Sequence, residues 1–338
     1  MPVAILGSTL TSVVAAPPVG ASPGLQPLRI ALDFTANVNY LGIYAAIQNG
    51  YFAREGVRAV IVPYAGTPAE TLLESGQTDL GLTYPPDIPA YRASGLKYRA
   101  VAALTQTNTV ALAVLASSPY TSPAQLSGKL YGGFGVQSDP AIITTIFAKL
   151  GVEHPSFRQV TLNATAYQAL AAKRVAYTSV FGGIDDVTAE LQGVKLRTFP
   201  ISRYLGAAGS FPDDAYVATD HEIATKGDLL RRGLAALAAG YRYAAANPAA
   251  AERILLADNR TALAHDARIV QATGDATAPT FVNAAGQWGQ MSAADFAGIT
   301  QILAKAGLFK GKAPPPATAD FTDALLAPLP PPGTSGPP

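Results

Sequence analysis

The sequence of 338 residues contains no cysteine. This absence excludes disulfide bonds, cysteine-ligated zinc, a thiolate nucleophile and a lipid anchor on an acylated cysteine of this chain. Histidine is also scarce. His154, His221 and His265 lie far apart and fit no H-E-x-x-H or similar spacing, so we expect no histidine-metal site.

Charge is scarce and balanced. Charged residues make up 14% of the chain, and 24 basic against 23 acidic side chains give a formal net charge of +1. Nucleic acids and anionic membranes attract a concentrated basic field, and the sequence has no long Lys/Arg run. We therefore expect no nucleic-acid partner.

Signatures of catalysis are missing as well. No G-x-S-x-G elbow occurs, and the S-x-x-K match at 94–97 lacks its S-D-N and K-T-G partners. We therefore predict no catalytic residue, no metal and no cofactor, and we expect the protein not to be an enzyme.

The two ends of the sequence differ from its middle. Residues 1–27 are apolar and then rich in small residues and prolines, and segments 14–16 and 19–21 fit an A-x-A-like cleavage site. This pattern predicts an export signal, and hence a location in the periplasm or on the outer face of the cell membrane. Residues 327–338 are Pro-rich and are predicted to form a disordered tail.

Between these ends, strand-like and helix-like segments alternate. The length exceeds that of one ordinary domain, and the 49% of hydrophobic residues can fill two cores. The alternation predicts open, mostly parallel sheets with helices on both faces, an α/β fold. We predict ten strands, at 28–34, 58–66, 78–84, 98–104, 110–118, 129–133, 157–161, 175–181, 194–199 and 214–220.

The order of these segments predicts two lobes. Residues 28–116 and 214–326 form a discontinuous lobe 1, and residues 117–213 form lobe 2. Two crossings between lobes make a hinge, and the cleft between them is the expected ligand site. Carboxyl ends of parallel strands face such a cleft.

A polar and aromatic segment follows the first predicted strand and offers the main candidates. Asn37, Asn39 and Tyr40 suit a flat heteroaromatic ligand, because an amide donates and accepts hydrogen bonds and a phenol ring stacks. One of the two asparagines is expected to cap the next helix. Tyr44 lies one helical turn after Tyr40, and it is either a ligand contact or part of the hydrophobic core. Asp33 either accepts from an amino group of the ligand or anchors the local turn.

Further candidates come from strand ends and crossings. Tyr84 ends the third strand, and Gln106 and Asn108 lie at the first crossing, where a polar hinge loop is an alternative explanation. Tyr216 lies on the returning strand. Trp288 is the only tryptophan, and such a residue is more often a packing anchor.

In lobe 2, the segment GGFGVQSDP (132–140) is a Gly-rich turn from strand to helix. Gly135 lets the backbone approach a ligand, and Ser138 is either a ligand contact or a helix cap. Phe181 and Asp185 are the remaining candidates, with Phe181 also suited to the core.

Four segments resemble the NMT1/THI5-like substrate-binding proteins, which are the binding components of ABC importers. They are LDFTANVNYLGIYAAIQNGYFAREGV, GTPAETLLESGQTDLGLTY, SPAQLSGKLYGGFG and FTDALL. The resemblance implies a two-lobed type II periplasmic binding protein that closes by a hinge. It also implies a monomer that delivers its ligand to an ABC permease and ATPase.

The resemblance further implies a vitamin precursor as the ligand. A thiamin pyrimidine of the formylaminopyrimidine or hydroxymethylpyrimidine type is favoured, which links the protein to thiamine biosynthesis. The segment YTSVFGGIDDVTAELQG departs from the Trp- and Glu-rich pattern of the pyrimidine binders. Riboflavin and an alkanesulfonate, taurine or nitrate therefore stay open as ligands. An enzyme on the same scaffold, a dehydratase or a pyrimidine synthase, is the alternative of another class.

Overall fold

The computed structural model describes residues 24–326, and the statements below refer to that part of the chain. The predicted leader (1–27) lies outside it except for its last residues, and Gln26 and Pro27 already belong to the first strand. The predicted Pro-rich tail (327–338) lies wholly outside the described residues.

Ten strands form two five-stranded sheets, one in each lobe. All ten predicted strands are confirmed, with ends shifted by a few residues. The strands are β1 (Gln26–Ala31), β2 (Val57–Val62), β3 (Leu80–Thr83), β4 (Tyr98–Ala103), β5 (Val110–Leu115), β6 (Leu130–Gly133), β7 (Arg158–Thr161), β8 (Tyr177–Phe181), β9 (Leu196–Pro200) and β10 (Ala215–Thr219).

The sheets share one topological feature. The order in lobe 1 is β2-β1-β3-β10-β4, and β10 runs antiparallel to both of its neighbours. The order in lobe 2 is β7-β6-β8-β5-β9, and β5 is antiparallel to both of its neighbours. In each sheet the reversed strand is the one that has just crossed from the other lobe. The other four strands point the same way, which confirms the mostly parallel sheets, and their carboxyl ends lie at one edge.

Helices cover both faces of the sheets, and no helix of the described chain is both long and apolar enough to cross a membrane. Gly50, with φ of +70°, follows the end of the first helix and separates it from the second. The helices are α1 (Leu41–Gln48), α2 (Tyr51–Arg54), α3 (Ala69–Glu74), α4 (Asp87–Ser94), α5 (Asp139–Lys149), α6 (Ala166–Ala171), α7 (Asp185–Leu191), α8 (Ile201–Leu205), α9 (Asp220–Ala246), α10 (Pro248–Asp258), α11 (Ala267–Thr277), α12 (Ala293–Lys305) and α13 (Ala317–Asp320).

The crossing strands show why the sheets are buried on both faces. In β10, Tyr216 packs into the cluster formed with α1 and α9, whereas Val217 packs into the cluster on the opposite face. In β5, Leu112 and Ala113 likewise belong to clusters on opposite faces. Side chains alternate along a strand, so a strand covered on both faces is apolar throughout.

One helix crosses the predicted division into lobes. Helix α12 falls in the stretch assigned to lobe 1, and its Phe296 packs there. Ile299, Ile302 and Leu303 of the same helix pack into the hydrophobic cluster of lobe 2. The C-terminal third of the chain therefore contributes to both cores.

The two chain crossings between the lobes are joined by hydrogen bonds. Asp213, on the returning crossing, accepts from the backbone N of Thr109 (2.7 Å) and from its hydroxyl (2.5 Å). The backbone N of Asp213 donates to the hydroxyl oxygen of Thr105 (2.9 Å). These bonds tie the adjacent crossings into one unit.

Candidate functional site

A cavity of about 430 Å³ lies between the two lobes. This volume falls within the range of about 300–1,000 Å³ that is usual for small-molecule sites. Its wall consists largely of residues that follow the carboxyl ends of strands: Phe34 after β1, Tyr64 after β2, Tyr84 after β3 and Phe134 after β6. Open α/β sheets bind ligands at this edge.

The segment that follows β1 is closed by a buried phenol. The hydroxyl of Tyr40 donates to Asp33 Oδ1 (2.9 Å) and accepts from the backbone N of Phe34 (3.0 Å). Tyr40 is only 1% exposed, although it contributes to the cavity wall. Its hydroxyl therefore holds Asp33 and Phe34 at the cavity.

The two asparagines of this segment differ in role. Asn37 caps the short 3₁₀ turn at 38–40, since its Oδ1 accepts from the backbone N of Asn39 (2.8 Å). Asn39 is buried, and its Nδ2 donates to Asp214 Oδ2 (3.2 Å). Tyr241 of α9 donates to the backbone oxygen of Asn39 (2.9 Å), so α9 fixes its position.

Aromatic rings form a continuous series across the cavity. Tyr64 and Phe34 in lobe 1 are stacked, with centroids 6.4 Å apart and planes 17° apart. Phe34 meets Phe134 of lobe 2 edge to face at 6.0 Å, and Phe134 contacts Phe181 at 6.4 Å. These four half-buried rings, two from each lobe, offer a flat ligand an apolar surface.

The charges on the wall have one sign. Six carboxyl groups line the cavity, and no Lys, Arg or His of the described chain does so. The acidic groups are spread around the wall, and within residues 24–326 no three His, Cys, Asp or Glu side chains are placed to hold a metal ion. The six are Asp33, Glu70, Asp87, Asp139, Asp185 and Asp214.

Burial without basic partners makes these groups weak acids. It raises the pKa of Glu70 and of Asp139 to about 7, and that of Asp185 to about 6. It also raises the pKa of Asp33, and for Asp214 the raised pKa has burial as its first cause and the charge of Asp33 as its second. The cavity therefore holds exchangeable protons near neutral pH.

One carboxylate joins the two lobes. Asp87, at the start of α4 in lobe 1, accepts from the backbone N of Ser138 (2.8 Å) and of Gln137 (3.2 Å) in lobe 2. Both amides lie at the N-terminus of α5, where the helix dipole favours an anion. The expected cap from within lobe 2 is thus replaced by a side chain of the opposite lobe.

Eight of the residues proposed from the sequence line the cavity. Tyr84 does so while packing edge to face on Phe211 at 5.7 Å, and Gly135 does so with φ of +93°. Asp185 accepts from the backbone N of Phe181 (2.8 Å) and thereby shapes the end of β8. The eight are Asp33, Asn37, Asn39, Tyr40, Tyr84, Gly135, Phe181 and Asp185.

Six proposed residues lie elsewhere. Tyr44 packs against the core of lobe 1, and its hydroxyl donates to Asn259 Oδ1 (3.1 Å). Gln106 donates from its backbone N to Thr280 (2.7 Å) and packs in the crossing. Asn108 also lies in the crossing, and neither polar atom of its side chain has a hydrogen-bond partner among the described residues.

The other three are buried in the protein. Ser138 is fully buried behind the cavity wall, and it contacts Asp87 through its backbone. Tyr216 faces the lobe 1 core and shares a hydrogen bond with the hydroxyl of Tyr241 (2.8 Å). Trp288 stacks on Tyr241 at 5.0 Å and donates to the backbone oxygen of Leu104 (3.1 Å), as a packing anchor does.

Several wall residues were not proposed from the sequence. Phe34, Tyr64 and Phe134 lie one to three residues after strands, and the strand-end rule that selected Tyr84 would have found them. Glu70, Tyr91 and Tyr167 lie on helices, and Asp214 lies at the amino end of a reversed strand. Their positions depend on packing that sequence spacing does not reveal.

Sequence comparisons identify related proteins. The family model described as NMT1/THI5 like matches residues 37–251. The formylaminopyrimidine-binding protein of Halalkalibacterium halodurans is 28% identical over 241 residues, which cover 69% of this chain and 70% of that protein. The riboflavin-binding protein RibY of Chloroflexus aurantiacus is 23% identical over 228 residues, covering 63% of this chain and 62% of that protein.

Solved structures share the fold. The alkanesulfonate-binding protein SsuA from Xanthomonas axonopodis pv. citri, bound to MOPS, superposes with a TM-score of 0.68 at 17% identity, over 91% of this chain and 100% of that one. The aliphatic sulphonate binding protein SsuA from Escherichia coli superposes with a TM-score of 0.65 at 17% identity, over 85% of this chain and 95% of that one. The chain therefore belongs to the NMT1/THI5-like family and has the two-lobed α/β fold of the periplasmic binding proteins.

Proposed function

We propose that this protein is the exported binding component of an ABC importer and that its interlobe cavity binds a small heteroaromatic compound with an amino group. A thiamin pyrimidine precursor of the formylaminopyrimidine type fits this description. The proposal includes closure of the lobes around the ligand, release of the ligand unchanged, and delivery of the ligand to a permease and ATPase in the membrane. The formylaminopyrimidine-binding relative supports it.

The observation that carries the proposal is the composition of the cavity wall. Aromatic rings from both lobes offer faces for stacking, and six carboxyl groups offer acceptors for amino N–H groups, with no basic residue of the described chain among them. An aminopyrimidine combines a flat ring with N–H donors on its edge. Each edge contact would satisfy a buried acceptor that is costly to leave unpaired.

The same wall argues against the sulfonate, taurine or nitrate alternative. A ligand of that class carries a full negative charge, which basic side chains normally neutralise. Here it would meet six carboxyl groups and no cation. The likeness to alkanesulfonate-binding proteins, at 17% identity, supports the fold and gives no argument for their ligand.

Riboflavin is the second candidate. It is flat and aromatic, and the riboflavin-binding relative favours it. The four-ring series from Tyr64 to Phe181 would stack on a larger ring system as well as on a pyrimidine.

A thermal-shift panel tests the proposal. Formylaminopyrimidine, hydroxymethylpyrimidine, thiamin, riboflavin, taurine and an alkanesulfonate are compared, and mass spectrometry of the recovered ligand checks that it is unchanged. We expect an aminopyrimidine to raise the melting temperature by several degrees, because about a hundredfold excess over Kd adds about 2.7 kcal/mol. Stabilisation by taurine or the alkanesulfonate alone, or recovery of an altered product, would reject the proposal.

Phe134→Ala is expected to weaken binding of the aminopyrimidine about ten- to a hundredfold, with little effect on folding. The substitution removes the ring through which lobe 2 contacts Phe34, and a buried aromatic contact of this kind is worth about 1–3 kcal/mol. Isothermal titration calorimetry measures the change.

Tyr243→Ala is the matched control for Phe134→Ala. Tyr243 makes a similar edge-to-face contact with Tyr51, at 6.5 Å and 69°, but outside the cavity. We expect the Tyr243→Ala variant to bind the aminopyrimidine with the affinity of the wild type. Equal affinity of the Phe134 variant and the wild type would exclude Phe134 from the binding surface.

A further inference from the structure

We propose that Asp33 and Asp214 share one proton in the empty cavity and together present one donor and one acceptor to the amino-substituted edge of an aminopyrimidine. This inference rests on the proposed function and narrows it to a ligand class. The ionised carboxyl accepts from the exocyclic amino group, and the protonated one donates to the adjacent ring nitrogen. The proton stays in the site, so a neutral ligand needs to bring none.

The two groups lie at the same edge of the lobe 1 sheet. Asp33 follows the carboxyl end of β1 and Asp214 precedes the amino end of the reversed strand β10, with only β3 between these strands. Both side chains line the cavity. The sheet topology therefore places at one edge of the sheet, on the wall of one cavity, two carboxyl groups that are 181 residues apart in the sequence.

Each carboxyl is held by one hydrogen bond. The Tyr40 hydroxyl donates to Asp33 Oδ1 (2.9 Å), and Asn39 Nδ2 donates to Asp214 Oδ2 (3.2 Å). Asp214 is only 5% exposed, and its Oδ1 accepts no hydrogen bond from the described residues. An acceptor that opens into a cavity and has no protein partner is satisfied by water or by a ligand, so this oxygen is available to a ligand.

The groups that surround the pair supply no positive charge. Asp213 and Glu70 are acidic, and so are Asp87, Asp139 and Asp185 elsewhere on the cavity wall. The nearby phenols of Tyr40, Tyr216 and Tyr241 are neutral at physiological pH because burial raises the pKa of each. No basic side chain of the described chain lines the cavity. Two carboxyl groups on one wall of a cavity without a cation cannot both ionise at low cost, and keeping one proton on the pair removes most of that cost.

The consequence is a pH dependence with a defined sign. While the empty pair keeps its proton, binding of a neutral aminopyrimidine exchanges no proton and its affinity stays constant. Once the pH is high enough to remove that proton from the free protein, binding takes up one proton from solution. Affinity then falls about tenfold for each further pH unit.

Calorimetric titration with hydroxymethylpyrimidine tests the proposal. The titration is repeated from about pH 7 to about pH 10 in pairs of buffers with different ionisation enthalpies, which gives the number of protons exchanged. We expect zero protons at the low end, one proton taken up at the high end, and a tenfold loss of affinity per pH unit there.

Two variants test whether the exchanged proton belongs to Asp33 and Asp214. Asp214→Asn supplies a fixed donor and acceptor, so its affinity is expected to be flat across the range. Glu252→Gln is the control, since Glu252 is a buried carboxyl of α10 with a pKa raised by burial to about 7, but it lies outside the cavity. This variant is expected to show the same dependence of ligand affinity on pH as the wild type.

The outcomes separate this inference from the proposed function. If the wild type binds the pyrimidine with constant affinity and no proton exchange throughout, the shared proton is rejected and the proposed function stands. If Asp214→Asn keeps the wild-type slope, the assignment to this pair is rejected. If no aminopyrimidine binds at any pH, the proposed function fails, and this inference with it.

Discussion

Gly240→Ala is expected to lower the free energy of unfolding by about 1–3 kcal/mol and to weaken ligand binding. A Cβ at this position of α9 would lie 2.1 Å from the backbone oxygen of Gly42 and 2.7 Å from the Cβ of Ala46, both on α1. Backbone cannot move aside as a flexible side chain can, so the two helices would separate. Helix α1 begins at Leu41, directly after Asn39 and Tyr40, and its displacement would move the cavity wall.

The control is Gly227→Ala in the same helix. Gly227 directly follows Lys226, whose non-helical backbone (φ −122°, ψ 18°) kinks α9, and no atom lies within 4 Å of a Cβ built there, so we expect little change in stability. Chemical denaturation followed by circular dichroism compares the two variants with the wild type. Equal stability of Gly240→Ala and Gly227→Ala would show that α1 and α9 do not pack as closely as described.

The free protein is expected to lose stability as the pH rises from about 4 to about 7. Asp139 and Glu70 have folded-state pKa values of about 7 against about 4 when unfolded. Between these values the folded state binds more protons than the unfolded state, so stability is highest below the unfolded value and falls until the folded value is passed. For Asp139 alone the loss between pH 5 and pH 8 is roughly 2–3 kcal/mol.

Asp139→Asn tests this dependence. The hydroxyl of Tyr131 donates to Asp139 Oδ2 (2.8 Å) and could donate equally to an amide oxygen. We expect the variant to gain roughly 2–3 kcal/mol relative to the wild type on going from pH 5 to pH 8. Asp228→Asn, at a side chain that is 78% exposed, should follow the wild type. Parallel profiles for Asp139→Asn and the wild type would contradict a neutral, buried Asp139.

Much of the fold follows from the sequence, because the strands at the centre of the sheets are marked by apolar content on both faces. In β10 the residues on both sides of the sheet are buried, and the same holds for β5, so each stretch is recognisable without its partners. Helix α11 was not predicted. Its apolar positions are few, and its burial comes from packing against α10 and α7.

The cavity wall was predictable only where it follows a strand directly. Asp33, Tyr84 and Gly135 lie at strand ends, and the rule for open α/β sheets locates them at the cleft. Asp214 and Tyr216 illustrate the limit, because a shift of two positions along one strand separates the cavity wall from the core. The sequence gives no register for a strand that returns from another lobe.

The phenol and amide groups also show the limit of residue chemistry. Tyr40 and Asn39 were proposed as ligand contacts, yet each holds a carboxyl group, Asp33 or Asp214, through a hydrogen bond. The family relationship was recognisable from local segments alone, and three of the four segments include residues that line the cavity. Whether such a side chain holds a carboxyl group or contacts a ligand depends on interatomic distances, which the sequence does not provide.

The central claim is that the cavity accepts a flat ring with N–H donors and rejects a small anion. Isothermal titration calorimetry of the wild type with formylaminopyrimidine, and in parallel with an alkanesulfonate, tests it most directly. The account predicts one-to-one binding of the pyrimidine and no measurable heat from the sulfonate at the same concentrations. Binding of the sulfonate with no binding of the pyrimidine would contradict it.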